Sequence, residues 1–219
     1  MRCIVFGTGG FAREVAGIVE SHGLYNSTFL GFIDDNPDRH FQTINGYPVL
    51  GGQDWLCNQR EAIAVFLGVG NPETRYRIVS KLKKFSCVFF PILIHPNVVM
   101  GRDVECGEGS IICAGNILTC NIQIGCFVNL NLDCTVGHDT SIDDFSTIAP
   151  GVHISGNVKI ERGCDLGTGA SIIQGVSIGA SVILGAGAVV SRNLPEGATA
   201  VGVPAKVIKS QEVFNYSGF

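Results

Sequence analysis

Charge is scarce in this chain. Only 16% of its 219 residues are Asp, Glu, Lys or Arg, against about 25% in an ordinary globular domain. No block of Lys and Arg occurs and the net charge is −4, so the electrostatic footprint of a nucleic-acid binder is missing. Long apolar runs are missing too. The longest, Cys87 to Ile94, spans eight residues and contains Pro91, far short of the roughly 20 needed to cross a bilayer. Met1-Arg2 leads into a short strand-like run ending at Gly7, too brief for a secretory h-region, and a cytoplasmic location is the expectation. The nine cysteines include no CxxC pair. Their number is odd and most fall at core or turn positions, so reduced thiols are expected rather than a disulfide framework.

Glycine, by contrast, is abundant. The chain holds 29, nearly twice the usual share of about 7%, and they lack the three-residue period of collagen. A six-residue period is present instead. From Ile94 every sixth residue is apolar through Met100, Cys106, Ile112, Leu118, Ile124, Leu130, Val136, Ile142, Ile148, Ile154, Ile160, Leu166, Ile172, Ile178, Leu184 and Val190, seventeen hexads without an insertion. The following position is often Gly, and the fifth is mostly small or β-branched. Neither helix nor hairpin periodicity produces this, and a hexapeptide repeat is the signature of a parallel β-helix. In the left-handed form three hexads make one triangular coil, with the apolar residue inside and glycine relieving the crowded corners. Residues i and i+18 then lie one above the other.

Residues 1–93 read as a small Rossmann-like parallel α/β sheet. The expected elements are strands at Arg2–Phe6, Phe29–Ile33, Ala62–Leu67 and Cys87–Ile92, with helices at Phe11–Ser21 and Glu73–Lys84. The chain therefore divides into an α/β domain at 1–93, a β-helix at 94–195, and a loop and closing segment at 196–219. Gly202-Val203-Pro204-Ala205-Lys206 is the expected exit loop.

Gly7-Thr8-Gly9-Gly10-Phe11-Ala12 follows a strand and opens a helix, the G-x-G-x-x-A pattern that lets backbone N–H groups approach a phosphate. Asp34-Asp35 ends the second strand and supplies acceptors for a ribose or base edge, and Gly68-Val69-Gly70 closes the third strand similarly. Since 93 residues hold one mononucleotide-sized half, a nucleotide suits this cleft better than NAD. A tight βα turn with ordinary packing glycines is the alternative.

Five histidines occur. His22 and His40 sit in polar stretches and are expected to be solvated, while His95 opens the β-helix and is expected to pack or cap. His138-Asp139 falls on an outward corner. Steps of 18 place Arg102, Cys120, Gly156, Gln174 and Arg192 in its column, with Gly156 directly above the imidazole. A second corner carries Pro150, Thr168 and Ala186, small enough for an extended ligand to run along it. A third stacks Asp144 under Arg162, read as a surface ion pair. No third histidine lies near His138 and His153, so no metal is expected.

These features together resemble the hexapeptide-repeat acetyltransferases that modify bacterial sugars. The likeness is nearest to the N-acetyltransferases for nucleotide-linked 4-amino-sugars of the bacillosamine and perosamine type and to the sialic acid O-acetyltransferases. It rests on Gly7–Ala12, Phe32-Ile33-Asp34-Asp35, Gly70-Asn71, the unbroken hexads, Gly137-His138-Asp139, Ser155–Ile160 and Gly202–Lys206. The resemblance implies a homotrimer with acetyl-CoA between adjacent prisms and no metal. It implies His138 as general base supported by Asp139. Gly9, Gly10, Phe11, Asp34, Asp35 and Gly70 match nucleotide-sugar contacts, and Asn131 matches a polar position of the site. Gly156, Thr168 and Ala186 match cofactor contacts, while Thr147 and Phe11 stand where some relatives carry histidine. The implied reaction is direct acetyl transfer to the amine of a nucleotide-linked amino-sugar in surface-glycan synthesis. Sugar O-acetylation and a non-catalytic, nucleotide-sensing trimeric scaffold are the alternatives.

Overall fold

The computed structural model describes residues 1–21 and 28–216; His22 lies outside them. The chain forms two compact units, Met1–Gly70 with Thr74–Leu93, and Asn71–Glu73 with Ile94–Phe219. Among the described residues no helix is long and apolar enough to cross a membrane.

The first unit contains strands β1 (Arg2–Phe6) and β2 (Thr28–Ile33), a hairpin of β3 (Thr43–Ile44) and β4 (Tyr47–Pro48), then β5 (Ile63–Leu67) and β6 (Val88–Phe89), with helices α1 (Gly10–Ser21) and α2 (Pro72–Leu82). Its sheet has the order β2-β1-β5-β6, all parallel. Both central strands are apolar and buried almost end to end, as strands covered on both faces must be. Helix α1 buries Ala12, Val15, Ala16 and Val19, one stripe of a 3.6-residue period. The strand expected over Cys87–Ile92 is reduced to Val88–Phe89, because Pro91 has no N–H to offer a ladder. Since β2 and β6 flank the central pair on opposite sides, right-handed crossovers send α1 and α2 to opposite faces. The β1/β5 boundary is therefore the switch point at which such sheets open a cleft.

The second unit is a triangular parallel β-solenoid of three sheets with eight, six and five strands. Partners are 18 residues apart through Val190, as in Thr135↔His153 and Val136↔Ile154, and 16 apart in the closing coil, as in Ile183↔Thr199. The apolar residue of each hexad from Ile112 to Val190 is buried inside. The first coil departs from that pattern. Met100 is 36% exposed and Ile94 and Cys106 are half-buried, because no coil lies beneath them. At the other end, Ala198–Val201 continues the eight-stranded sheet and Lys206–Ser210 returns antiparallel to it.

Two backbone demands shape the corners. The fourth residue of each hexad is left-handed from Asp103 to Gly187, and Asn, Asp, Phe and Ser share that role with glycine. Glycines at the second position answer a different need, close approach of the next coil. A Cβ on Gly137 would lie 2.5 Å from the backbone nitrogen of Gly156. On the third corner the expected Asp144–Arg162 pair is replaced. Arg162 Nε lies 3.7 Å from Asp143 Oδ2, because Asp144 Oδ1 is already accepting from the Cys126 amide at 2.7 Å.

Candidate active site

The strand Thr135–Val136 ends at Gly137, and the chain turns outward through His138 and Asp139. Asp139 has φ of 58°, a conformation Asp tolerates better than most residues. This turn accompanies a contact between neighbours in sequence. His138 Nδ1 lies 2.7 Å from Asp139 Oδ2. Asn121, one coil below, donates from Nδ2 to Asp139 Oδ1 at 3.0 Å. Those two hydrogen bonds, Asn121's first, hold the Asp139 carboxyl below the usual aspartate range. A carboxylate only accepts, so the His138 proton sits on Nδ1 and the Nε2 lone pair is left for chemistry.

Above this nitrogen the backbone is bare. A Cβ on Gly156 would stand 2.5 Å from Nε2. The Gly156 carbonyl accepts from Gly175 and the next amide, Asn157, donates to the His138 carbonyl at 2.7 Å. The Gly156 N–H itself has no acceptor among the described residues. The corner thus presents a base and a backbone donor side by side, with half of the imidazole exposed. Cys120, half-buried below, gives its carbonyl to the Asp139 amide and takes no evident chemical part.

Other site residues expected from sequence lie elsewhere in the chain. Asn131, Thr168 and Ala186 follow strands of the eight-stranded sheet, and the six-stranded face separates that corner from His138. Asn131 Oδ1 accepts from the Leu132 amide at 2.8 Å, and its carbonyl accepts from buried Asn116. Thr147 is buried within a strand, paired between Asn129 and Asp165. A single chain brings Asp139, Asn121 and Gly156 to His138, and leaves Asn131, Thr147, Thr168 and Ala186 apart from it. His153 bonds Thr135 Oγ1 through Nδ1 at 3.0 Å, and His95 Nδ1 accepts from the Asn97 amide, capping a turn. Among the described residues no group of His, Cys, Asp and Glu is placed to hold a metal ion.

The first unit opens a cleft of about 370 Å³ lined by Phe6, Gly7, Asp34, Asp35, Val69, Thr74, Arg77, Ile78 and Lys81. It sits at the switch point, on the α2 side. Gly9, Gly10, Phe11 and Gly70 border the turns without lining it, because α1 departs toward the other face. The two acidic residues differ in what they have left to give. Asp34 accepts from Thr8 Oγ1 at 2.6 Å and from the Asn36 amide at 2.9 Å, which locks the first glycine turn to the end of β2. Asp35 is freer, with Lys81 Nζ 3.8 Å from its Oδ2. His40 is not the solvated residue expected. Half-buried, it donates from Nε2 to the Asp34 carbonyl at 2.7 Å, bracing the same turn. Sequence reading also passed over Arg77 and Lys81, whose i, i+4 spacing on α2 was the available signal.

Comparisons with known proteins agree with this architecture. Residues 2–82 match the PglD N-terminal domain family. GDP-perosamine N-acetyltransferase of Escherichia coli O157:H7 is 33% identical over 172 residues, 77% of this chain and 76% of that one. The structure of PerB from Caulobacter crescentus with CoA and GDP-perosamine superposes with a TM-score of 0.85 at 30% identity, covering 95% of this chain and 98% of that one. The acetyltransferase domain of PglB from Neisseria gonorrhoeae FA1090, with acetyl coenzyme A, gives 0.86 at 32% identity over 94% and 98%. A bare glycine over a carboxylate-held histidine, a switch-point cleft and 30–33% identity over three quarters or more of the chain place this protein in the hexapeptide-repeat acetyltransferase family that includes GDP-perosamine N-acetyltransferase.

Proposed function

We propose that this enzyme transfers the acetyl group of acetyl-CoA to the amine of a nucleoside-diphosphate-linked 4-amino-sugar, with His138 as general base. The observation that carries the reading is the His138 imidazole, held through Nδ1 by Asp139 with Nε2 facing the bare backbone of Gly156. An amine must be neutral to attack a thioester. As its nitrogen bonds to the carbonyl carbon, Nε2 takes its proton, and Asp139 stabilises the imidazolium that forms. The carbonyl oxygen becomes an oxyanion, and in this reading the Gly156 N–H, which has no acceptor among the described residues, stabilises it. Collapse breaks the carbon–sulfur bond, and the departing thiolate takes the proton back from Nε2. No covalent enzyme intermediate is needed.

The cleft of the first unit would take the nucleotide, its cations Arg77 and Lys81 suiting a diphosphate and Asp35 a ribose or base donor. The relatives crystallised with GDP-perosamine and with acetyl-CoA support both ligand classes. A homotrimer fits the separation of corners within one chain. Asn131, Thr168 and Ala186 would meet a His138 supplied by a neighbouring copy.

The test is release of free CoA thiol from acetyl-CoA in the presence of nucleotide-linked amino-sugars. GDP- and UDP-linked 4-amino-4,6-dideoxy sugars are compared with their 4-hydroxyl counterparts and with sialic acid. Release that needs the amino-sugar supports the reading. Release with a hydroxyl acceptor alone, or none with any acceptor, contradicts it.

A further inference from the structure

We propose that Asn121 is a positioning residue of the catalytic corner: from one coil below, its side-chain amide fixes the Asp139 carboxylate so that Oδ2 stays on His138 Nδ1. The proposal rests on the reading of His138 as the base. It goes beyond the His138-Asp139 pair by making the working unit a chain of three, amide to carboxylate to imidazole.

Geometry carries the argument. Asn121 and Asp139 are 18 residues apart and both occupy the left-handed fourth position of their hexads, with φ of 53° and 58°. Their side chains therefore leave the same corner in the same sense, one above the other. Asn121 Nδ2 meets Asp139 Oδ1 at 3.0 Å while Asp139 Oδ2 meets His138 Nδ1 at 2.7 Å, so each carboxylate oxygen has its own donor. An exposed ion pair alone constrains little, and Asp139 is half-exposed. With one bond to the ring, its carboxylate can swing about its χ angles and take the imidazole with it. A second anchor from a rigid coil fixes the carboxylate plane. The lowered ionisation range of Asp139, to which Asn121 contributes most, fits the same contact.

Backbone demand does not explain the asparagine. Gly175 fills the same corner position three coils above with φ of 77°, and glycine accepts that conformation without penalty. The amide side chain is also selective. Asn157, one coil above Asp139, makes no side-chain hydrogen bond among the described residues, whereas Asn121 makes one, and it goes to the catalytic carboxylate. An aspartate at 121 would set a second carboxylate against the first and remove the donor.

The test measures kcat, and KM for acetyl-CoA and for the amino-sugar, in Asn121→Gly and Asn121→Asp, each with Asp139 intact and in an Asp139→Ala background. Both substitutions suit the left-handed backbone, and thermal melts confirm that each variant folds. We expect Asn121→Gly to lower kcat about tenfold, within the coupling range of contacting residues, with both KM values within about twofold. Asn121→Asp loses at least as much. In the Asp139→Ala background the further loss from Asn121→Gly is under about twofold, because the route through Asp139 has gone. A kcat within twofold of the parent in both variants overturns the proposal. So does an equal fold loss with and without Asp139, the signature of a merely structural residue. His138→Ala, run alongside, separates the two ideas. Normal turnover in that variant overturns the base assignment and this proposal with it, while collapse there beside an indifferent Asn121→Gly overturns the role of Asn121 alone.

Discussion

His138 Nε2 lies so near Gly156 that a Cβ on the glycine would stand 2.5 Å from it. Real side-chain carbons do not approach a nitrogen so closely, so the glycine keeps one face of the imidazole open. Gly156→Ala has no left-handed backbone to oppose it, and the crowded atom is the end of a half-exposed side chain. The ring should turn aside rather than the coil unfold. We predict a fall in kcat on the order of a hundredfold, with the melting temperature almost unchanged. Steady-state kinetics and a thermal melt on the same preparation check both halves.

The cleft makes a separate prediction. Arg77 and Lys81 are its cations, one helical turn apart on α2. Arg77→Ala or Lys81→Ala should raise KM for the nucleotide-sugar about tenfold, the loss of one charge-assisted hydrogen bond. KM for acetyl-CoA should stay where it was. Equal changes in both KM values would assign these side chains to general stability instead.

Arg75 is fully buried. Its Nη1 donates to the carbonyls of Val69 at 2.8 Å and Gly70 at 2.9 Å, closing the loop after β5 that borders the cleft. Arg75→Met keeps much of the volume and removes the charged donor from both carbonyls. It should destabilise the first unit by about 3 kcal/mol, measured by denaturant unfolding, and loosen nucleotide-sugar binding.

Burial raises the thiols of Cys106 and Cys134 to about 11 and that of Cys164 to about 12. Their reactive thiolates are scarce near pH 8, whereas Cys57 is exposed. Iodoacetamide at pH 8 should alkylate Cys57 first and reach those three only after unfolding, which peptide mass mapping can show. The linkage has a fixed sign. A raised acid favours the folded state fully below its unfolded pKa, near 9.0, and that contribution fades as pH climbs toward 11 to 12. These thiols therefore weaken the fold at alkaline pH and have no part in its acid unfolding.

The solenoid was legible in the sequence because seventeen hexads run without an insertion, so one apolar period declares the fold and its 18-residue rule stacks Gly156 over His138. Columns give neighbours without giving rotamers. Asp143 rather than Asp144 meets Arg162 because a corner amide had already taken the second carboxylate. The same rule joins Asn121 to Asp139, yet a polar residue in a corner turn looks like any other until its amide is seen to point at a carboxylate. Met100 looked like interior, but an end coil has nothing to bury it. In the first unit the glycine turns and Asp34-Asp35 were visible, whereas Arg77 and Lys81 looked like an ordinary solvated helix face. Only the opposite departures of α1 and α2 reveal which face borders the cleft. His40 was hidden for a related reason, since its partner is a backbone carbonyl at the end of β2.

The central claim is that His138 Nε2 removes the proton from the attacking amine. Its most direct test is the kcat of His138→Ala for CoA release with saturating acetyl-CoA and amino-sugar. Loss of a positioned general base should lower kcat by about a hundredfold to ten-thousandfold, with acetyl-CoA affinity and oligomeric state retained. Turnover within a few-fold of the parent enzyme would contradict the account.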